Sequence, residues 1–293
     1  MQQDKTFLGT EPVGQLLRRL AIPTGIAQLV NMLYNIVDRI YIGHIPEVGS
    51  SALTGVGVCL PIILIVSAFA CFTASGGAPR ASIYMGRNDM DSAEKTLGGC
   101  FTLQIGISVV LTAALLLWGR KALLAFGASE NTIDYAADYL HIYAFGTLFV
   151  ELTLGMNAFI TAQGFAKVGM YTVLIGAAAN IVLDPIFIFA LGMGVRGAAL
   201  ATSLAAVINV LVILILARAQ KYPYLFHFKK HFRWNKKQVK IYFVKCFPII
   251  CNEVLIGVGN MVINVVLGRQ SEQAIAAIAV FRTLEGMVIS FFA

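Results

Sequence analysis

The chain has 293 residues, of which 58% are hydrophobic and only 13% are charged, and its formal net charge is +7. Soluble domains have about 45–50% apolar and about 25% charged residues, so this composition excludes an ordinary soluble protein and indicates one that lies in a membrane. The sequence contains no H-E-x-x-H, G-x-S-x-G or Walker motif. It therefore predicts no enzyme, no bound cofactor and no ATP hydrolysis by this chain.

Apolar segments long enough to cross a bilayer recur along the whole chain. A hydrocarbon core of about 30 Å needs about 20 helical residues. The fold class predicted is an all-α polytopic membrane protein with eight spans in the sequence given, the last of them still apolar at Ala293. The predicted spans lie near residues 20–42, 52–78, 97–118, 138–162, 170–191, 197–217, 241–267 and 274–293.

Lys and Arg fall mainly on one side of the predicted membrane. With the N-terminus inside, cytoplasmic segments hold 15 of them and outer loops hold 4. The positive-inside rule then predicts a multi-pass protein of the plasma (cytoplasmic) membrane with a cytoplasmic N-terminus. The basic, aromatic loop at residues 218–240 is expected to contact anionic membrane lipids. Its composition also resembles a nucleic-acid patch, but the orientation rule already explains it, so we predict no nucleic-acid partner.

Polar residues form a stripe along the first span. Asn31, Tyr34, Asn35 and Asp38 follow one another at i, i+3, i+4 and i+7, which places them on one face of an otherwise apolar helix. Such a stripe either packs against polar groups of a neighbouring helix or lines a water-filled cavity. Because the stripe ends at a carboxylate, we favour the cavity and expect these residues to face substrate.

Four acidic residues lie inside predicted spans: Asp38, Glu151, Asp184 and Glu253. Each costs about 2.5–3.5 kcal/mol at a helix centre on insertion scales, so each needs a partner, a cavity or an ion. A structural role as a protonated, hydrogen-bonded side chain is the alternative for every one of them. No partner is predicted for Glu151, whereas Glu253 lies near the midplane of span 7 and is a candidate for a proton or a cationic substrate.

Two of these acids lie at one depth. At 1.5 Å per residue, Asp38 is about 8 Å and Asp184 about 10 Å from the outer ends of their helices, and Thr202 is about 8 Å deep on span 6. Asn180 adds an amide one turn from Asp184. Hard oxygen donors of this kind suit a small cation such as Na⁺, and two adjacent carboxyls can also share a proton. The four residues are therefore the predicted cation- or proton-coupling site, with structural hydrogen bonding as the alternative.

Two further positions complete the set of candidates. Pro185 directly follows Asp184 and predicts a kink or a broken turn there. Asn157, in span 4, is a candidate for substrate contact or, equally, for a hydrogen bond between helices.

The sequence also repeats its own beginning. Residues 23–43 and 248–268 align at one fixed offset, with a proline, an asparagine and a terminal glycine at identical spacing. Six predicted spans separate the two copies, and an even number means that both copies run in the same direction, as in carriers built from parallel repeats. The predicted units are an N-lobe of six helices at residues 1–217, a cytoplasmic inter-lobe loop at 218–240, and the first two helices of a C-lobe at 241–293.

Three blocks carry a resemblance to a known family: YNIVDRIYIG, ALTGVGVCLPIILIVSAFACFTASGGAPRASIYMGRNDMDSAEKTLG and ANIVLDPIFIFALGMGVRGAALAT. In order and spacing they resemble the multidrug and toxin extrusion (MATE) family, in particular its DinF-like members, and the similarity covers essentially the whole chain. The resemblance implies twelve helices in two six-helix lobes around a central cavity. It also implies antiport of cationic or amphipathic drugs against Na⁺ or H⁺.

Position by position, the resemblance assigns the N-lobe cation site to Asp38, Asn180, Asp184 and Thr202. It suggests cavity roles for the residues Asn31, Tyr34 and Asn157, while Glu253 lies closer to its preceding proline than the helix 7 acid of other members does. A chain that is truncated after about eight of twelve helices lacks the C-terminal helices that close the cavity. We therefore expect no transport from residues 1–293 alone.

Two rival functions remain. A lipid-linked oligosaccharide flippase of the same superfamily would need several cations inside its spans, and spans 1–6 offer only Arg39. A non-transporting membrane scaffold or fragment would not need Asp38 and Asp184 at one depth. The sequence therefore predicts a secondary active efflux transporter for small cationic or amphipathic molecules.

Overall fold

Long helices account for the regular structure of the described part of the chain. The computed structural model describes residues 10–219 and 236–269, together with 271, 273–275, 277, 278, 280–282 and 285. A π-helical turn, Ile186–Ala190, directly follows the fifth helix. The helices are α1 Val13–Gly43, α2 Gly49–Gly86, α3 Met90–Ala125, α4 Ile133–Ala162, α5 Ala166–Pro185, α6 Val195–Ala219 and α7 Lys236–Gly268.

Six helical segments of the described chain are long and apolar enough to cross a membrane, and they correspond to the first six predicted spans. In the region of the seventh predicted span, α7 contains the shorter apolar helix Val254–Gly268. The described residues from Gln273 to Arg282 are helical and begin the eighth span. The rest of that span and most of the inter-lobe loop at 218–240 lie outside the described residues.

Local signals explain where several helices begin and end. Asp89 caps α3, because its side chain accepts a hydrogen bond from the Ser92 amide at 3.1 Å. Hydrogen bonds from Ser92 also hold the pKa of the Asp89 carboxyl below its ordinary value. The turn between α1 and α2 requires glycine at position 49, since a side chain there would overlap the carbonyl oxygen of Gly43.

Helix α4 lies at the centre of the bundle, where it packs against α2, α3, α5 and α6. Helix α1 packs mainly on α5, and α7 packs mainly on α2. One buried apolar cluster includes Ile133 and Tyr143 of α4, and a second includes Phe159 further along the same helix. The stretch of α4 between these two clusters contains the buried polar residues Thr147 and Glu151.

Large apolar side chains cover the outside of the bundle. Val110, Leu117 and Trp118 on α3 are 67%, 69% and 60% exposed, and Phe145 on α4 is 62% exposed. An apolar surface of this extent is unfavourable in water but matches the hydrocarbon core of a bilayer. The outer face of the helices therefore agrees with the membrane class that the composition indicates.

Candidate cation-coupling site

Three helices bring the four predicted ligands together. Asn180 on α5 donates from Nδ2 to Asp184 Oδ1 and to Thr202 Oγ1 of α6, both at 3.4 Å. The carboxyl group of Asp38, on α1, lies within hydrogen-bonding reach of the Asp184 carboxyl. The depths estimated from the sequence thus correspond to one cluster in space, while the role of its members as ion ligands stays a prediction.

The cluster is closed off from solvent. Asp38 is 7% exposed, Asn180 is 1% exposed and Asp184 is fully buried. The spacing of four residues between Asn180 and Asp184 places both on the face of α5 that meets α1 and α6. Two carboxyl groups have therefore been removed from water at a place where no bulk solvent can compensate their charge.

The end of α5 shapes the site. Pro185 cannot donate a backbone hydrogen bond, and the chain continues from it as the π-helical turn Ile186–Ala190. This confirms the broken turn predicted beside Asp184. Helix α6 crosses the turn closely because position 197 is a glycine, where an added Cβ would lie only 2.6 Å from the Phe187 carbonyl carbon. That close crossing brings Thr202 to the level of Asp184.

Three oxygen atoms of the cluster have no protein partner among the described residues. They are Asp38 Oδ1, Asn180 Oδ1 and Asp184 Oδ2, and all three are buried. A buried polar atom without a hydrogen bond costs about 1–3 kcal/mol, so three in one place indicate an additional partner. Carboxylate, amide and hydroxyl oxygens are the donors that a hard cation or a proton prefers. Among the described residues no group of three or more His, Cys, Asp or Glu side chains is arranged as a metal site.

The electrostatic surroundings favour a single positive charge. The Arg39 guanidinium interacts with Asp38 and with Tyr139 of α4. Because arginine stays protonated in proteins, two ionised carboxylates beside it leave one net negative charge. One monovalent cation or one proton would balance that charge.

Tyrosines complete the wall of the site. Tyr34, predicted as a cavity residue, borders both Asp38 and Asp184. Tyr139 forms a hydrogen bond with Thr202 and was not among the predicted residues. Its ring stacks on Tyr143 at a centroid distance of 6.3 Å. The signal that could have identified it is this pair of tyrosines four residues apart in an apolar span.

The other polar residues of the first span have local partners. Asn35 donates from Nδ2 to the Asn31 carbonyl oxygen at 2.6 Å, within α1 itself. Asn35 also contacts the Tyr34 hydroxyl. The substrate-facing roles of Asn31 and Asn35 stay predictions.

Asn157 joins α4 to α5. Its Nδ2 donates to the Gly169 carbonyl oxygen at 3.2 Å and to Thr172 Oγ1 at 3.1 Å. This is the hydrogen bond between helices that the sequence left as the alternative to substrate contact. The Glu253 side chain lies outside the described residues, so its proposed role in the second lobe stays a prediction.

Glu151 has a partner that sequence reasoning missed. It accepts a hydrogen bond from Gln104 of α3. The available signal was a glutamine inside an apolar span, which needs a polar partner for the same reason as a buried acid.

The fold and the buried acidic cluster together define a multi-pass α-helical membrane protein with an ion-ligand site between its helices. The family model for MatE matches residues 23–186, more than half of the chain, and the chain therefore belongs to the MATE family. This membership confirms the resemblance seen in the three sequence blocks. It also places the chain in a family of transporters and not among enzymes.

Curated relatives and solved structures agree with this assignment. "Multidrug export protein MepA" of Staphylococcus haemolyticus is 26% identical over 97% of this chain and 63% of its own length. MepA of Staphylococcus aureus strain NCTC 8325 is 24% identical over 95% of this chain and 61% of its own length. The chain thus spans a little over three fifths of the curated relatives it matches.

The structure of the MATE multidrug transporter DinF-BH in complex with rhodamine 6G matches with a TM-score of 0.91 at 29% identity. The match covers 99% of this chain and 65% of that chain. An inward-facing MATE transporter of the MOP superfamily matches with a TM-score of 0.81 at 24% identity, over 94% of this chain and 64% of that chain, which supports the fold alone. The predicted MATE fold, with the N-lobe and part of the C-lobe, is confirmed.

Proposed function

We propose that the protein carrying this chain is a secondary active exporter, which moves cationic or amphipathic organic compounds outward in exchange for Na⁺ or H⁺. The observation that carries the proposal is the set of three buried, unpartnered oxygens Asp38 Oδ1, Asn180 Oδ1 and Asp184 Oδ2. A coupling ion or proton gives these oxygens the partner that the described side chains do not provide.

The same cluster offers a way to link ion binding to movement. Asp38 lies on α1 and Asp184 on α5, and these two helices pack against each other. Two carboxylates about 4 Å apart repel each other by about 4 kcal/mol at an effective dielectric constant of about 20. A bound cation or a shared proton removes this repulsion. Ion binding therefore favours the arrangement in which α1 and α5 hold both carboxyls together, in proportion to the difference in affinity between the two arrangements.

The proposal applies to the protein at the length of its relatives, with residues 1–217 as the N-lobe, 218–240 as the inter-lobe loop and 241–293 as the start of the C-lobe. The positive-inside bias supports a cytoplasmic N-terminus in the plasma membrane, so the site opens toward the outer side. Asn31, Tyr34, Asn35, Asn157 and Glu253 are proposed to line the substrate cavity. The dye rhodamine 6G, which was bound to DinF-BH, is the first substrate to test.

The rival flippase function is less well supported. A pyrophosphate-linked lipid needs uncompensated cations, whereas the Arg39 guanidinium already interacts with the Asp38 carboxyl. A scaffold function offers no reason for three unpartnered oxygens in one buried cluster.

The test replaces Asp184 by Asn in the full-length protein and measures dye extrusion from cells. Asp184→Asn keeps the shape of the side chain and removes its charge, so we expect efflux to fall to the level of cells without the protein. The matched control is Asp134→Asn, because Asp134 is an exposed acid on α4 that pairs with Arg120 at 2.9 Å. Wild-type efflux by Asp184→Asn, at equal expression, would show that the cluster does not couple transport to an ion.

A further inference from the structure

Glu151 forms a second buried acidic centre, apart from the Asp38–Asp184 cluster. Its side chain is fully buried on α4. It lies twelve residues beyond Tyr139, the α4 residue that reaches Thr202, which corresponds to about 18 Å along the helix. Apolar clusters that include Tyr143 on one side and Met156 on the other flank it.

Three helices contribute to this centre. Gln104 of α3 donates from Nε2 to Glu151 Oε2, and Thr73 of α2 makes a hydrogen bond with Gln104 Oε1. Thr73 Oγ1 also lies 3.0 Å from the Ala70 carbonyl oxygen. Gln104 and Thr73 are fully buried, like Glu151 itself. Glu151 Oε1 is buried with no hydrogen-bond partner among the described residues.

Counting protons shows which state fits these contacts. With the Gln104 Nε2 toward Glu151, the single hydroxyl proton of Thr73 faces two acceptors, Gln104 Oε1 and the Ala70 oxygen, and satisfies one of them. With the amide rotated by half a turn, Nε2 donates to Thr73 Oγ1, and Thr73 is free to donate to Ala70. Gln104 Oε1 then faces Glu151, which must donate a proton and so must be a carboxylic acid. In this second state every contact pairs one donor with one acceptor.

The ion pairs that the structure describes provide no cation for an ionised Glu151, because none of them includes it. Helices α2 and α3 face it with Thr73 and Gln104, which do not titrate, and α6 faces the neighbouring part of α4 with Ser203. The titratable neighbour is Tyr143, which interacts with Glu151 and also with Tyr34 beside the Asp38 carboxyl.

We propose that Glu151, Gln104 and Thr73 form a second proton-binding site in this lobe, at which Glu151 takes up and releases a proton while the Gln104 amide reverses. The proton comes from water and returns to water, and the unpartnered Oε1 is the atom open to that exchange. Release leaves Glu151 ionised, with Oε2 accepting from Gln104 Nε2. Tyr143 and Tyr34 connect the charge of this site to the Asp38–Asp184 cluster.

The test is infrared difference spectroscopy of the full-length protein in lipid while the pH is raised from acidic to alkaline. It records the carbonyl band of a protonated carboxyl group and does not depend on transport, so it stands apart from the efflux test. We expect a band in wild type that disappears as the pH rises, that is missing in Glu151→Gln, and that persists when Asp38→Asn and Asp184→Asn are combined. The control is Asn157→Leu, which breaks another contact between helices and should leave the band unchanged.

Two results would overturn the proposal. If wild type minus Glu151→Gln shows no band at any pH at which the protein is folded, Glu151 is always ionised. If the band persists until the protein unfolds, Glu151 is a permanently neutral structural acid. Should Glu151→Gln fail to fold, Gln104→Leu provides the second variant. It removes the residue whose amide serves both states, so it must change the pH at which the wild-type band disappears, and an unchanged pH would also contradict the proposal.

Discussion

Removing one charge at a time from Asp38 and Asp184 tests whether the two carboxyls act as one unit. Their carboxyl groups are within hydrogen-bonding reach of each other. A monovalent cation held about 4 Å from each gains about 4 kcal/mol per carboxylate at an effective dielectric constant of about 20. Loss of one carboxylate then weakens cation binding by about three powers of ten, since each 1.4 kcal/mol is a factor of about ten.

A loss of that size leaves the site nearly empty at any cation concentration a cell provides. Asp38→Asn and Asp184→Asn should therefore each remove most of the ion-dependent efflux, and the double variant should be little worse than either single one. Strong non-additivity of this kind marks residues that act together. The same reasoning applies to a shared proton, because two coupled carboxyls titrate as a pair.

The assay is ion-dependent efflux for wild type, both single variants and the double variant at matched expression. Sodium binding to the purified proteins, measured by titration calorimetry, accompanies it and separates a lost ion site from a lost transport step. Partial losses that add up in the double variant would refute the reasoning. They would mean that the two acids lie side by side without sharing an ion.

Three further predictions concern orientation, packing and capping. A cysteine at Asn235 should react with a membrane-impermeant thiol reagent only in opened cells, and one at Glu130 should react in intact cells; the reverse pattern would invert the proposed topology. Gly197→Val should lower the thermal midpoint in detergent, because its side chain would overlap Phe187 at the π-helical turn, whereas Gly86→Ala, with open space around it, should not. Asp89→Ala should lower stability at neutral pH, and because the pKa of Asp89 is lowered in the folded state, the difference from wild type should vanish as the pH falls; a pH-independent difference would contradict the cap.

Much of the fold could be predicted because the bilayer imposes simple rules on the sequence. Every backbone polar group in a hydrocarbon core must be satisfied internally, so long apolar segments become helices. The break beside Asp184 was predictable for a similarly local reason, since Pro185 cannot continue the hydrogen-bond pattern. The end of α1 at Gly43 and the start of α6 near Gly197 fixed the depths of Asp38 and Thr202 closely enough to place them together.

Contacts between helices that are distant in sequence could not be predicted in the same way. The partner of Glu151 is Gln104 on α3, and no periodicity or spacing relates the two residues. Tyr139 escaped attention because a tyrosine in an apolar span is usually a packing residue. Asn157 illustrates the converse, since its position suited either substrate or a neighbouring helix and only the packing of α4 on α5 provides it with Thr172.

The central claim is that an ion bound between Asp38 and Asp184 drives export. The most direct measurement uses the full-length protein in liposomes loaded with dye, with a Na⁺ or H⁺ gradient imposed in either direction. We predict that dye moves against the imposed ion gradient, that its direction reverses when the gradient is reversed, and that Asp184→Asn abolishes both movements while Asp134→Asn does not. Dye movement that ignores the direction of both gradients in wild type, or that persists unchanged in Asp184→Asn, would contradict the claim.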